Sequence, residues 1–317
     1  MTASVQLYEV CLRDGLQNEA LVLPTEFKVA IARRLVEAGF RDIEVTSFVR
    51  PRWVPQLADA TEVVRQLPQA EGVRFWALVP NPVGLERAME SGIGHVATFL
   101  SSSETHNRKN VNRTIKESLA GLRKVIGDAK ADGMGVRSYV STAFGCPFEG
   151  EIATDAVVRI SHELLEAGAD AIALGDTTGM GHPEQVKRML EALTESGIAL
   201  EQLALHFHDT RGTAVANAYA AWQFGARRFD GSVSGVGGCP YAPGAAGNAG
   251  TQDLVHLFER MGGAQEPPPE GRGPVTGVNL GHLAEVGQML EEALQHPLTS
   301  RYHQFWKGDL ERKARSA

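Results

Sequence analysis

Eight times along this chain a short run of apolar and β-branched residues gives way to a longer stretch whose apolar residues recur at helical spacing. SVQLYEV precedes TEFKVAIARRLVEAG, DIEVTSF precedes QLADATEVVRQL, VRFWALV precedes NPVGLERAMESG, and HVATFLS precedes RTIKESLAGLRKVIGDAKADG. The alternation continues through VRSYVSTAF and TDAVVRISHELLEAG, AIALGDT and HPEQVKRMLEALTESG, LALHFH and TAVANAYAAWQFG, and finally RFDGSVSG and TQDLVHLFERMG. Strands that are apolar along their whole length are buried on both faces, the condition of a parallel sheet covered by helices. Gly39, Gly92, Gly133, Gly168 and Gly197 close several of the helical stretches, as a left-handed C-terminal residue does. Eight units of this kind predict an α/β fold, a (β/α)8 or TIM barrel. An open doubly wound sheet would carry a G-x-G-x-x-G turn after its first strand, and none is present.

The barrel is expected to occupy residues 1–263 as the catalytic unit. Residues 264–317 add the Pro/Gly-rich connection AQEPPPEGRGP and two further helical stretches, about Asn279–Leu294 and Ser300–Arg312. These extra C-terminal helices either pack on the barrel, for instance over its floor, or form a subunit contact.

Composition excludes several classes of partner. With 38 acidic against 31 basic residues the net charge is -7, which offers no broad surface to nucleic acid. Cys11, Cys146 and Cys239 are far apart and form no C-x-x-C pair, so neither a disulfide framework nor a thiolate zinc site is indicated. The first residues run directly into the apolar segment Val5 to Cys11, and no apolar run reaches membrane-spanning length. A cytoplasmic protein without a membrane partner is expected.

In an α/β barrel the functional groups gather at the carboxyl ends of the strands. The polar residues there are Arg13 and Asp14 after the first strand, Glu44 on the second, Asp176 after the sixth, His206 and His208 on the seventh, and Cys239 and Asn248 in the loop after the eighth. In LALHFHDTRG the two histidines are two residues apart, so a strand aims both at one side. Two imidazoles with a carboxylate such as Asp14 and the amide oxygen of Asn248 make a mixed nitrogen and oxygen set suited to Mg²⁺ or Mn²⁺ with positions left for substrate. A histidine that only bonds Asp209 or caps the next helix is the alternative.

Arg13 beside Asp14 adds a fixed positive charge able to polarise a carbonyl and hold an enolate oxygen, against the alternative of a plain salt bridge to Glu44 or Asp176. Glu44 and Asp176 are candidates for acid–base groups or for orienting Arg13 and the histidines. The glycine-rich loop GVGGCPYAPGAAGNAG can approach a ligand closely and carries Cys239, either a proton-transferring thiol or an inert small residue.

Taken in order, RDGLQNE, IEVTSF with RPRWVPQLAD, RKNVN, GCPFEG, LGDTTG, HFHDTRG and GGCPYAPGAAGN resemble the motifs of the 3-hydroxy-3-methylglutaryl-CoA lyase family, within the DRE-TIM metallolyases, over most of residues 5 to 260. The resemblance implies Asp14, His206, His208 and Asn248 as metal ligands, Arg13 as the stabiliser of carbonyl and enolate, Cys239 as a thiol on a lid, and Glu44 and Asp176 as acidic active-site positions. It implies retro-Claisen cleavage of a 3-hydroxyacyl-CoA to acetyl-CoA and a keto acid, a divalent metal cofactor, an acyl-CoA as the small-molecule partner, and a homo-oligomer, expected as a dimer.

The chain also departs from the family pattern. Cys11-Leu12 replaces the usual Gly-Pro, Ala20 stands where a lysine is common, Arg211 turns DTYG into DTRG, Gln252 replaces a glutamate, and His106-Asn107 displaces an aromatic. Arg50, Arg52, Arg108 and Lys109 are the candidates to meet the CoA phosphates in place of the absent lysine. The departures leave open citramalyl-CoA or a longer 3-hydroxy-3-alkylglutaryl-CoA as substrate. An acetyl-CoA condensing synthase of the isopropylmalate or homocitrate type is a further alternative, although fewer than about 60 residues follow the barrel where such synthases usually carry a long regulatory region.

Overall fold

In the computed structural model the described residues are 4–239, 242–262 and 275–316, with the side chains of 239, 242–245, 262 and 316 left aside. Eight strands, β1 (Gln6–Glu9), β2 (Asp42–Ser47), β3 (Arg74–Leu78), β4 (His95–Ser101), β5 (Gly135–Ser141), β6 (Ala171–Asp176), β7 (Leu203–Phe207) and β8 (Arg228–Gly231), pair in sequence order and close into a barrel. Closure is parallel, with Gln6 opposite Arg228 and Leu7 opposite Phe229. The helices are α1 (Thr25–Glu37), α2 (Ala60–Arg65), α3 (Pro82–Ser91), α4 (Glu104–Val111), α5 (Ile115–Ala131), α6 (Thr154–Glu166), α7 (Pro183–Glu195), α8 (Ala214–Phe224), α9 (Thr251–Gly262), α10 (Leu280–Leu294) and α11 (Arg301–Ser316). No helix among the described residues is long and apolar enough to cross a membrane.

The fold is the TIM barrel expected from the alternation, and two elements differ in detail. QLADATEVVRQL yields the end of a short 3-10 turn, Pro55–Leu57, and only six residues of α2, because Pro68 directly after the stretch disfavours helical backbone at Leu67. The segment holding RKN folds as α4, opened by Ser103, whose hydroxyl accepts from His106 N. Its residues are almost all polar, so hydrophobic periodicity carries no signal there.

Strand parity decides what faces the barrel axis. Leu203, Leu205 and Phe207 of β7 join the large core between sheet and helices, whereas Ala204 joins a small cluster with Leu78, Ala97, Tyr139 and Ala173 inside the barrel. His206 and His208 share the parity of Ala204 and therefore face inward. By the same rule Glu44 faces inward, because Ile43 and Val45 lie in the outer core.

The Gly263 boundary and the connection 264–274 lie outside the described residues. Beyond them the chain returns at the amino end of the barrel, where Val5 N donates to Val275 O and Asn279 N to Ala38 O. α10 then packs against both α1 and α9, filling the seam between the first and last helices, and α11 packs on α9 and α10. At the carboxyl end Ser300 N donates to Ser234 O, so this appendage reaches the loop that follows β8.

Candidate active site

Immediately after β1 the chain makes a wide helical turn, Cys11–Gly15, in which Gly15 N reaches back to Val10 O. That turn sets Arg13 and Asp14 over the open end of the barrel. Arg13 is 5% exposed and spans two carboxylates: its Nε donates to Glu44 Oε1 at 2.5 Å and its Nη1 to Asp14 Oδ1. The other oxygen of Glu44 accepts from the Tyr139 hydroxyl at 2.6 Å. Glu44 is fully buried, so its charge is matched within the protein by Arg13. It orients the guanidinium and does not reach the cavity.

Asp14, His206 and His208 form a three-residue cluster whose ligand atoms lie within 4.8 Å of one another. The two Nε2 atoms face each other at 3.2 Å, and each lies 3.8 Å from Asp14 Oδ2. His206 Nδ1 lies 3.1 Å from Asp230 Oδ2. A buried carboxylate in that position accepts a hydrogen bond from Nδ1–H, which leaves the Nε2 lone pair directed at the cluster. Burial, and then the neighbouring His206, bring His208 down to about 4, so its imidazole is neutral at neutral pH. Burial pushes the Asp14 carboxyl up, but Arg13, His206 and His208 outweigh it and hold the group ionised, well below the usual carboxylate range.

Asn248 completes the cluster. It enters by backbone pairing with His208 and is 3% exposed. Its Nδ2 donates to Asp14 Oδ2 at 3.0 Å and to Val236 O at 3.2 Å, and its Oδ1 is buried without a hydrogen-bond partner. A buried acceptor left unmatched is costly unless something positive meets it. An ionised carboxylate, two imidazole nitrogens and an unpartnered amide oxygen brought to one place, with only the Asn248 amide donating toward Asp14 Oδ2, make the donor set of a divalent cation, so the residues fit a metal.

The glycines of the loop after β8 are explained by close approach. A Cβ on Gly237, whose φ is +110°, would meet Asn248 Nδ2 at 2.8 Å and Gly15 Cα at 3.0 Å. A Cβ on Gly247 would collide with Gly237 O. The backbone of Gly238–Cys239 pairs with Ala242–Ala246. The Cys239 side chain, named above as a thiol candidate, lies outside the described residues.

Asp176 stands apart from the cluster. Ile172 and Leu174 of its strand lie in the outer core, so Asp176 has the outward parity. Its two oxygens accept from Met180 N at 2.9 Å and Gly181 N at 3.0 Å. Burial raises it to about 6 against the pull of these bonds. It organises the turn that places Thr177 in the cavity wall, and its carbonyl accepts from His208 N. Arg211 fastens the same turn, donating to the carbonyls of Thr178 and Gly179.

Above the cluster opens a cavity of about 540 Å³, with Arg13, Asp14, His206 and His208 in its floor and Arg50, Trp53 and Arg113 among the residues toward its rim. Arg50 and Arg52 both lie over the Trp53 ring, at 5.1 and 5.7 Å. Of the other phosphate candidates, Arg108 pairs with Glu104 and Lys109 lies over Phe148.

The family model described as HMGL-like matches residues 4–290. The chain belongs to the HMGL-like family. Hydroxymethylglutaryl-CoA lyase YngG of Bacillus subtilis is 45% identical over 303 residues, covering 96% of this chain and 97% of that one. The crystal structure of the Bacillus subtilis HMG-CoA lyase superposes with a TM-score of 0.90 at 45% identity, over 96% of this chain and 98% of that chain. An HMG-CoA lyase from Acinetobacter baumannii, solved in complex with coenzyme A and 3-methylmalate, has a TM-score of 0.87 at 38% identity, with 96% of each chain covered. These relatives favour the lyase reading over the condensing-synthase alternative. As an HMGL-like protein the chain is a carbon–carbon lyase.

Sequence reasoning passed over three interior residues of this HMGL-like site: Tyr139, Arg137 and Asp230. Each was visible as a polar residue at an inward position of a strand, in VRSYVS or RFDG, but their partners lie on other strands.

Proposed function

We propose that this protein cleaves 3-hydroxy-3-methylglutaryl-CoA to acetyl-CoA and acetoacetate. The observation that carries the reading is the meeting of the Asp14 carboxylate, the His206 and His208 imidazoles and the unpartnered amide oxygen of Asn248 beside a buried arginine, at the floor of a cavity in an HMGL-like chain. A divalent cation, Mg²⁺ or Mn²⁺, held by those four residues supplies Lewis acidity that lowers the pKa of the substrate's 3-hydroxyl and fixes its orientation.

In the reaction a base at the cavity floor takes the hydroxyl proton, the oxygen on the third carbon becomes a carbonyl, and the electron pair of the bond between the second and third carbons passes into the thioester as an enolate. A proton returned to the second carbon completes acetyl-CoA. Arg13, pinned by Glu44, presents positive charge where the enolate oxygen develops, and because it is already oriented it costs little reorganisation. Cys239 is the residue we assign to the return of the proton. Glu44 and Asp176 act as positioning groups, the first through Arg13 and the second through the Thr177–Gly181 turn. Arg50 and Trp53 at the cavity rim are suited to the phosphates and the flat base of CoA.

The test is acetyl-CoA release from a panel of 3-hydroxyacyl-CoA esters in the presence of Mg²⁺ or Mn²⁺. The highest kcat/KM is expected with the 3-methylglutaryl ester. Preference for citramalyl-CoA or a longer 3-alkyl ester would move the substrate assignment, and no release from any ester would overturn the reading.

A further inference from the structure

We propose that Arg137 is a positioning residue that sets both halves of the catalytic floor from inside the barrel, holding His206 through Asp230 and Arg13 through Tyr139 and Glu44. The inference rests on the metal site of the proposed function. Arg137 lies on β5 with inward parity, between Val136 and Ser138, and is 4% exposed. Its Nη2 donates to Asp230 Oδ1 at 2.5 Å, and the opposite oxygen of that carboxylate meets His206 Nδ1. The guanidinium carbon is 4.0 Å from the centroid of the Tyr8 ring and 4.9 Å from that of Tyr139, so two aromatic rings fix its position. Tyr139 in turn donates to Glu44, which holds Arg13.

Arg137 touches the substrate cavity at no point: it lines the separate space at the amino end of the barrel, so it acts only through other residues. Asp230 is 2% exposed and depends on this guanidinium for compensation of its charge. Without it the carboxylate either turns or takes a proton, and in either case the Nδ1–H partner that fixes the His206 ring is lost. Removing the residue that orients a ligating histidine weakens metal binding by roughly 10- to 100-fold. The second arm predicts a separate loss in turnover: the Tyr139 ring lies between Arg137 and Arg13, and without the nearer guanidinium its hold on Glu44, and through it on Arg13, loosens.

The experiment measures Mn²⁺ affinity from the electron paramagnetic resonance of free Mn²⁺, and kcat at saturating Mn²⁺, for the wild type, Asp230→Asn, Arg137→Lys and the double variant Arg137→Met/Asp230→Asn. Thermal melts establish that each is folded. Arg137→Lys keeps the positive charge and the double variant leaves no buried carboxylate at position 230, so a failure of Arg137→Met alone to fold does not remove the test. Asp230→Asn is expected to weaken Mn²⁺ by roughly 10- to 100-fold and Arg137→Lys by several-fold. Adding Arg137→Met to Asp230→Asn is expected to change Mn²⁺ affinity by less than about 2-fold, since that arm is already cut, yet to lower kcat further through Tyr139 and Glu44. A folded Arg137→Lys with wild-type Mn²⁺ affinity and kcat, or a Mn²⁺ effect of Arg137→Met that multiplies that of Asp230→Asn, would overturn the proposal. A wild type that binds no Mn²⁺ would instead overturn the metal reading beneath it.

Discussion

The two ends of the barrel are both rich in charge, yet they are built on opposite rules. At the amino end a cavity of about 290 Å³ is lined by Asp42, Arg74, Asp170 and Arg228, and the carboxylates there are closed by donors. Asp42 accepts from Arg74 Nε and Trp76 Nε1 on one oxygen and from Arg74 Nη2 and Gln6 Nε2 on the other. Asp170 takes Lys130 and Val136 N. At the carboxyl end the acceptors outnumber the donors: the two Nε2 atoms face one another and Asn248 Oδ1 has no partner. The comparison teaches that charge density does not mark the working end of a barrel. Ligating groups that face one another with an unpartnered amide oxygen beside them do, because folding alone gives no return for holding them together.

The strongest way to break that comparison is at Arg13. Arg13→Met should lower kcat by at least about 10²-fold, the scale of losing one donor to a developing oxyanion, with only a modest change in Mn²⁺ affinity. Steady-state kinetics at saturating metal check it, and an unchanged kcat removes Arg13 from the chemistry.

His206→Ala should shift the Mn²⁺ dependence of activity by at least about tenfold, since it deletes a ligand and not merely its orienter. A titration of activity against Mn²⁺ that superposes on the wild type would contradict ligation.

The amino end should respond in stability instead. Asp42→Ala strips the common acceptor from three side chains and is expected to destabilise the fold by about 1–3 kcal/mol, read by denaturant unfolding. Turnover and Mn²⁺ affinity of the folded variant should remain those of the wild type. A tenfold loss of Mn²⁺ affinity in that variant would show that Asp42, like Arg137, supports the metal site.

The last effect is read against pH and concerns Glu9, beneath the turn after β1, where Oε1 accepts from Cys11 N and Val233 N and Oε2 from Thr251 Oγ1. Burial raises its carboxyl from 4.5 to about 7 despite these bonds. The folded state therefore binds this proton more tightly than the unfolded one. Stability tied to the group is complete below about pH 4.5, falls as pH rises through about 7, and levels off above it. At about 1.4 kcal/mol per unit the span is roughly 3 kcal/mol. In Glu9→Gln the slope of the melting temperature between pH 5 and 8 should flatten relative to the wild type, and an unaltered slope would show that Glu9 does not titrate in that window.

How much of this was legible beforehand differs by residue. Asp14, His206 and His208 could be read from the chain because a strand's period of two and the strand-end rule of the barrel are local statements, and the cluster is where they place it. Asn248 was legible as a polar residue of the loop after the eighth strand, but its partners were not. The orphaned Oδ1 that gives it a role arises because Asp14 and Val236 consume its amide hydrogens. Asp176 sits on the same strand end that the rule selects, but one residue out of phase, so its carboxylate serves a turn. α4 was silent to periodicity because it has almost no apolar face.

By itself the sequence determined the alternation of strands and helices, the closed barrel and the inward aim of the two histidines, which follow from spacing along the chain, and the family, which follows from the likeness of its motifs. Only the tertiary structure decided that Glu44 clamps Arg13, that Asp230 stands behind His206, and that Arg137 joins the two. Those links run between strands as distant as 95 residues in the chain. Which inward side chains meet across a barrel depends on strand order and stagger, and no local pattern encodes those.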